Sequence, residues 1–182
     1  MSELALFGGP RAAADLLVPE WPQVTEADVG AVKESLLSRR WCRIYAGSKV
    51  EEFERAFAAY HQAEHGIAAC NGTAALELAL QAVGVRPGDE VLVPAVTFIA
   101  TASAVTRVGA IPVFVDSAPA RITMSPQALA DNITPRTTAV GVVHYAGYPA
   151  DMDAILEVAA KHSLALVEDS AHAQGTEWRG RR

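Results

Sequence analysis

GIAACNGTAALELALQAVGVRPGDEVLVP, residues 66–94, carries three kinds of local instruction in one run. GIAAC (66–70) is a short apolar segment of strand type, and NGT (71–73) is a turn. AALELALQAV (74–83) has the composition of a helix that stops at Gly84. PGD (87–89) is a second turn, and EVLVP then reads as a buried strand. Strand, helix and strand in succession is the unit of a parallel sheet, because parallel neighbours need a crossover between them.

The alternation continues toward the C-terminus. Residues 97–108 read as a helix ended by Gly109, and IPVFVD (111–116) as the next strand. Ser125 followed by Pro126 is a helix start, with cap and first-turn proline in the favoured order. TTAVGVVH (137–144) is a further strand, Asp151 caps MDAILEVAAKH, and LALVED (164–169) closes the series. Short apolar strands separated by helices predict an α/β fold, with a mainly parallel sheet covered by helices on both faces. Toward the N-terminus, Val50, Phe53, Phe57 and Tyr60 mark one face of a helix over 49–61. Before it lies an arm in which Pro10, Pro19 and Pro22 bracket extended chain and Thr25 caps a helix near 26–38.

With 182 residues, 51% of them apolar and 20% charged, the chain can bury a full core. Fifteen basic residues stand against 21 acidic ones, a net charge of −6, and they are scattered. That argues against a nucleic-acid partner, which needs a clustered basic face. The N-terminus lacks the basic and apolar regions of a secretory signal, and the most apolar window, 91–105, is broken by Pro94. A cytoplasmic protein with no membrane partner is expected. Cys42 and Cys70 show no metal or redox spacing, and His61, His65, His144, His162 and His172 fit no ligand motif, so no metal is expected.

In parallel sheets, ligands sit at the carboxyl ends of the strands. Three turns are predicted on that rim: NGT, PAVTF (94–98) and EDSAH (168–172). Gly72 and Thr73 open a helix, whose free amides and dipole suit an anion; by itself the motif is equally a turn and a cap. Phe98 is either a core aromatic or a ring placed for stacking. Asp169 is either a cap or salt-bridge partner, or a carboxylate aimed into the crevice; alternation turns Glu168 to the other face as the structural acid. His172 is either a core imidazole or an arm over a ligand, and Tyr145 and His144 are weaker candidates for the same rim. An anion cup, a stacking ring and a carboxylate together suit a planar, phosphorylated heterocycle with a protonatable nitrogen, as in pyridoxal phosphate.

NGTAALELALQAVGVRPGDEVLVPAVTFIATASAV, GAIPVFVD, ITPRT, PADMDAI and VEDSAHAQG, in this order, closely resemble the DegT/StrS-type aminotransferases, from about Phe7 onward. EWP (20–22) and RRW (39–41) are similar to the 3-amino-5-hydroxybenzoate synthases and scyllo-inosose aminotransferases within that group. The resemblance implies a pyridoxal-phosphate-dependent transferase of fold type I. Residues 1–48 would be an arm and first helix, and 49–182 the N-terminal part of the cofactor-binding large domain. It implies that Gly72 and Thr73 hold the phosphate and Phe98 stacks on the pyridine. Asp169 would bind the ring nitrogen as a catalytic residue, with His172 close to the ring or its phenolic oxygen.

The same resemblance implies amino transfer from glutamine or glutamate to a keto-sugar or keto-cyclitol, in a homodimer. The alternatives are a dehydratase or aromatising synthase of the 3-amino-5-hydroxybenzoate type, and a non-catalytic cofactor-binding regulator. The family's Schiff-base lysine lies well beyond the EDSAH motif, and Lys33, Lys49 and Lys161 are not in its context. The 182 residues are therefore expected to be the N-terminal portion of a longer enzyme, lacking that lysine and the C-terminal small domain.

Overall fold

The structure is a computed structural model that describes residues 4–119 and 121–182; the first three residues of the expected arm lie outside it. The chain divides into two compact units, Met1–Lys49 and Val50–Arg182.

In the first unit, helix α1 (Glu26–Ser38) begins where the sequence places it. Thr25 and Asp28 close a reciprocal capping box: the Thr25 amide donates to Asp28 Oδ2 at 2.7 Å, and the Asp28 amide to Thr25 Oγ1 at 3.4 Å. The Thr25 hydroxyl and amide hold the Asp28 carboxyl below its ordinary range.

In the second unit the sheet is four-stranded and wholly parallel. Its strands are β1 (Glu90–Pro94), β2 (Ile111–Val115), β3 (Thr137–Val143) and β4 (Ala165–Asp169), in the order β2-β1-β3-β4. Helices α2 (Lys49–Tyr60), α3 (Gly72–Ala82), α4 (Ala100–Arg107), α5 (Pro126–Asp131) and α6 (Met152–Lys161) complete the chain. The covered parallel sheet expected from the alternation is present.

Strand alternation sorts the core into two layers. Val91, Val93, Ala139 and Val167 pack with Leu80 of α3 and with Ala104 and Val105 of α4. Leu92, Val140 and Val142 face the other way, onto Leu129 of α5 and Ile155 of α6. Gly109, after α4, takes a φ of +81°, and a Cβ there would lie 3.1 Å from the Pro87 side chain. The two turns that flank β1 and β2 at the amino end therefore need a glycine at that point.

Two expectations need correction. GIAAC is not a strand: among the described residues none pairs with it, Ile67 is 84% exposed, and the Ala68 amide donates to Glu54 Oε1 of α2 at 2.9 Å. Apolar composition predicts burial only where a neighbouring strand supplies the ladder. Helix α3 starts at Gly72, not at residue 74, so NGT is its cap and first turn. α2 forms where its periodicity places it, and Phe53, Phe57 and Tyr60 on that face are 55%, 43% and 50% exposed. The aromatic rings pack along the helix, with the Phe53 and Phe57 centroids 5.2 Å apart.

Candidate functional site

Asp169 is the last residue of β4 and pairs in register with Val143 of β3. It follows Val167 on the α3/α4 face, while Glu168 lies on the α5/α6 face, as alternation predicts. The two neighbouring acids thus serve different sides of the sheet.

Thr101, buried in the first turns of α4, donates its hydroxyl to Asp169 Oδ2 at 2.9 Å. A hydroxyl has one proton, so the 2.9 Å contact between Thr97 Oγ1 and Thr101 Oγ1 is a donation from Thr97 to Thr101. The Ala171 amide donates to Asp169 Oδ1 at 3.3 Å. Among the described residues no lysine or arginine pairs with Asp169. The carboxylate is held by neutral donors, with acceptor capacity left over on both oxygens.

Asn71 caps α3: its Oδ1 accepts from the Ala74 amide at 2.9 Å, and its carbonyl from the Ala75 amide at 3.0 Å. The amides of Gly72 and Thr73, the first two residues of the helix, have no acceptor among the described residues, as geometry requires at a helix start. Nothing lies within 4 Å of where a Gly72 Cβ would stand. The positive end of the helix dipole and two donors therefore face open space.

Gly72, Thr73, Phe98, Tyr145, Asp169 and His172 all line one cavity of about 380 Å³. Phe98 sits between β1 and α4 and is 69% exposed, so its ring is a free surface of this cavity and not a core side chain. His172 Nδ1 accepts the Ala146 amide at 3.2 Å, which leaves the proton on Nε2. The imidazole stands edge-on to Tyr145, centroids 5.6 Å apart.

His144 does not join them. It is 6% exposed, takes the Ala150 amide on Nδ1 at 3.1 Å and places Nε2 2.8 Å from Glu168 Oε2, lining a second cavity on the α5/α6 side. Residue parity explains the split. His144 continues the α5/α6 face of β3 after Val142, whereas Tyr145 has passed into the following turn. Residue types alone missed Thr97 and Thr101; their spacing of four on a predicted helix was the available signal. Lys161 does not line the cavity. No helix among the described residues is long and apolar enough to cross a membrane.

Residues 22–182 match the model of the DegT/DnrJ/EryC1/StrS aminotransferase family. The chain is 46% identical to a 3-amino-5-hydroxybenzoate synthase of Amycolatopsis mediterranei, over 90% of its own length and 42% of that protein's. It is 42% identical to an L-glutamine:scyllo-inosose aminotransferase of Streptomyces griseus, over 99% of its length and 43% of that protein's. A crystal structure of 3-amino-5-hydroxybenzoic acid synthase superposes with a TM-score of 0.86 at 46% identity, covering 90% of this chain and 42% of that one. The chain thus spans less than half the length of the relatives it matches.

Proposed function

Because the chain belongs to the DegT/DnrJ/EryC1/StrS aminotransferase family, we propose that it forms the cofactor cup of a pyridoxal-phosphate-dependent aminotransferase. The donor in this reading is glutamine or glutamate, and the acceptor a keto-sugar or keto-cyclitol. The observation that carries it is Asp169: a carboxylate at a strand's carboxyl end, oriented by Thr101 and Ala171, paired with no cation among the described residues, in a cavity that also holds a bare helix start.

The donor set fits the cofactor. The Gly72 and Thr73 amides and the Thr73 hydroxyl would bind its phosphate, where the helix dipole favours negative charge. Phe98 would cover one face of the ring and keep water from it, an interaction of about 0.5–1.5 kcal/mol beyond its area. Asp169 would accept the proton-bearing ring nitrogen and hold the proton there, a charge-assisted bond of about 1.5–3 kcal/mol. The Thr97–Thr101 pair keeps the carboxylate in place while it does so. The bound cofactor supplies an electron sink for the carbon that exchanges its amino group.

Support for the donor and acceptor comes from the glutamine-dependent cyclitol aminotransferase among the relatives. The homodimer follows the family resemblance, and a cytoplasmic location is part of the same proposal. In the full-length protein, added pyridoxal phosphate should produce a visible absorption band that L-glutamine bleaches and a keto-cyclitol restores. A full-length protein that takes up no pyridoxal phosphate, or whose band is indifferent to both glutamine and glutamate, overturns the proposal.

The 46% identity to a 3-amino-5-hydroxybenzoate synthase favours a second reading, an aromatising synthase on the same cup. A product that has lost water and gained an aromatic ring, seen by mass and ultraviolet absorption, decides for it.

A further inference from the structure

A single short turn, residues 145–149, separates β3 from the run into α6, and an imidazole grips each end of it. At the near end the Ala146 amide donates to His172 Nδ1 at 3.2 Å. At the far end the Ala150 amide donates to His144 Nδ1 at 3.1 Å. Ala146 is held at a φ of +53°, a left-handed conformation that a residue with a Cβ seldom adopts. Gly147 follows at +81°, with His172's carbonyl 3.3 Å from where its Cβ would be. Inside these two ties the Gly147 amide donates to the His144 carbonyl at 3.3 Å, the Tyr148 amide to the Tyr145 carbonyl at 3.0 Å, and the Thr176 hydroxyl to the Gly147 carbonyl at 3.3 Å.

Both ring Nδ1 atoms are acceptors, so both imidazoles carry their proton on Nε2. On His144 that proton goes to Glu168 Oε2 at 2.8 Å. His172, exposed on the cavity wall beside Tyr145, has no protein acceptor for its Nε2–H among the described residues. Glu168 and Asp169 are consecutive in β4. One acid therefore anchors the turn from the α5/α6 face, while the next enters the cavity on the other.

We infer that His144 and Glu168 are positioning residues: by clamping the 145–149 turn they hold the Ala146 amide on His172 and so present His172 to the cavity as an Nε2–H donor. The chemical partner this suits is an anionic oxygen on a planar ring. The inference rests on the proposed cofactor for its purpose, but the clamp is a property of the protein alone.

Nitrogen-15 histidine labelling of the full-length protein, free of cofactor, tests it directly. Two-bond proton–nitrogen correlations should show His172 as a single tautomer with Nδ1 unprotonated. In Glu168→Ala the His172 signal should become a mixture of the two tautomers, and in Glu168→Gln, which still accepts from His144, it should return to one. His144→Asn keeps an acceptor for the Ala150 amide and cuts only the link to Glu168, so it should behave as Glu168→Ala. In the loaded enzyme, Glu168→Ala should lower kcat several-fold with little change in KM for glutamine. A wild-type His172 that is mixed or protonated on Nδ1 overturns the inference, as does a His172 unchanged in both Glu168→Ala and His144→Asn. If the tautomer behaves as stated but no pyridoxal phosphate binds, the cofactor proposal fails and the clamp stands.

Discussion

Glu90 and Asp169 are acids at opposite ends of the same parallel sheet, and their surroundings differ in kind. Glu90 opens β1 with its side chain only 5% exposed, bound by the Thr134 hydroxyl and by the Arg136 guanidinium, whose Nε stands 2.9 Å away. The Thr134 hydroxyl first, and Arg136 second, hold its carboxyl below the ordinary range against the opposing effect of burial. Asp169 closes β4 with neutral donors only, among the described residues, and its carboxylate faces a cavity. A carboxylate whose charge is answered inside the protein is a structural element; on the proposed reading, one that is oriented by neutral donors is where the cofactor's ring nitrogen binds.

The sharpest way to break this contrast is Asp169→Ala. Turnover should be abolished, and pyridoxal phosphate should bind roughly 10- to 150-fold more weakly, as measured by absorbance titration. The thermal midpoint should fall only modestly, because the buried Thr101 hydroxyl loses its acceptor but no internal cation loses its partner. Retained activity removes the assignment of Asp169.

Glu90→Gln should do the reverse, lowering the unfolding midpoint at neutral pH while leaving cofactor affinity unchanged in the folded fraction. The sign of its pH dependence follows from the lowered folded-state pKa. The Glu90 contribution is fully present above the unfolded-state pKa and is lost as pH falls through the folded value. Wild type and variant should therefore converge in acid, as followed by urea unfolding across the acid range. Midpoints separated by a constant amount at every pH would contradict that reading of Glu90.

Thr101→Val is a finer test, since it removes one hydroxyl and keeps the volume. Cofactor affinity should drop roughly 3- to 10-fold, corresponding to the net worth of one hydrogen bond. Phe98→Leu should have the smallest effect, a loss of roughly two-fold to several-fold in affinity. With Phe98 already 69% exposed, stability should not fall, and a lower midpoint would mean that the ring belongs to the core.

Much of the β1–β4 framework was legible because its signals are local. EVLVP, IPVFV, TTAVGVV and ALVED are runs of strand type between capped helices, and Asn71, Ser125 and Asp151 each accept from an amide three residues on. GIAAC misled for the opposite reason, since a strand exists only through its neighbour and no local pattern reports whether one is there. Spacing marked Thr101 only weakly as a site residue because threonines are common in that window, and only packing of α4 on the sheet carries its hydroxyl to a residue 68 positions away. His144 and Tyr145 could not be separated by type; the end of β3 sends one to each side.

The sequence by itself determined the strand–helix order, the caps and glycine stops, and the two faces to which Glu168 and Asp169 belong. Each of these depends on backbone periodicity and on atoms within a few residues. Only the tertiary structure decided which acid is neutralised and which is merely held. It also decided that the start of α3 meets the end of β4 without a strand before it, and that two imidazoles grip one turn. Those outcomes depend on hydrogen bonds between segments far apart in the chain, whose directions are set only when the sheet and its helices have packed.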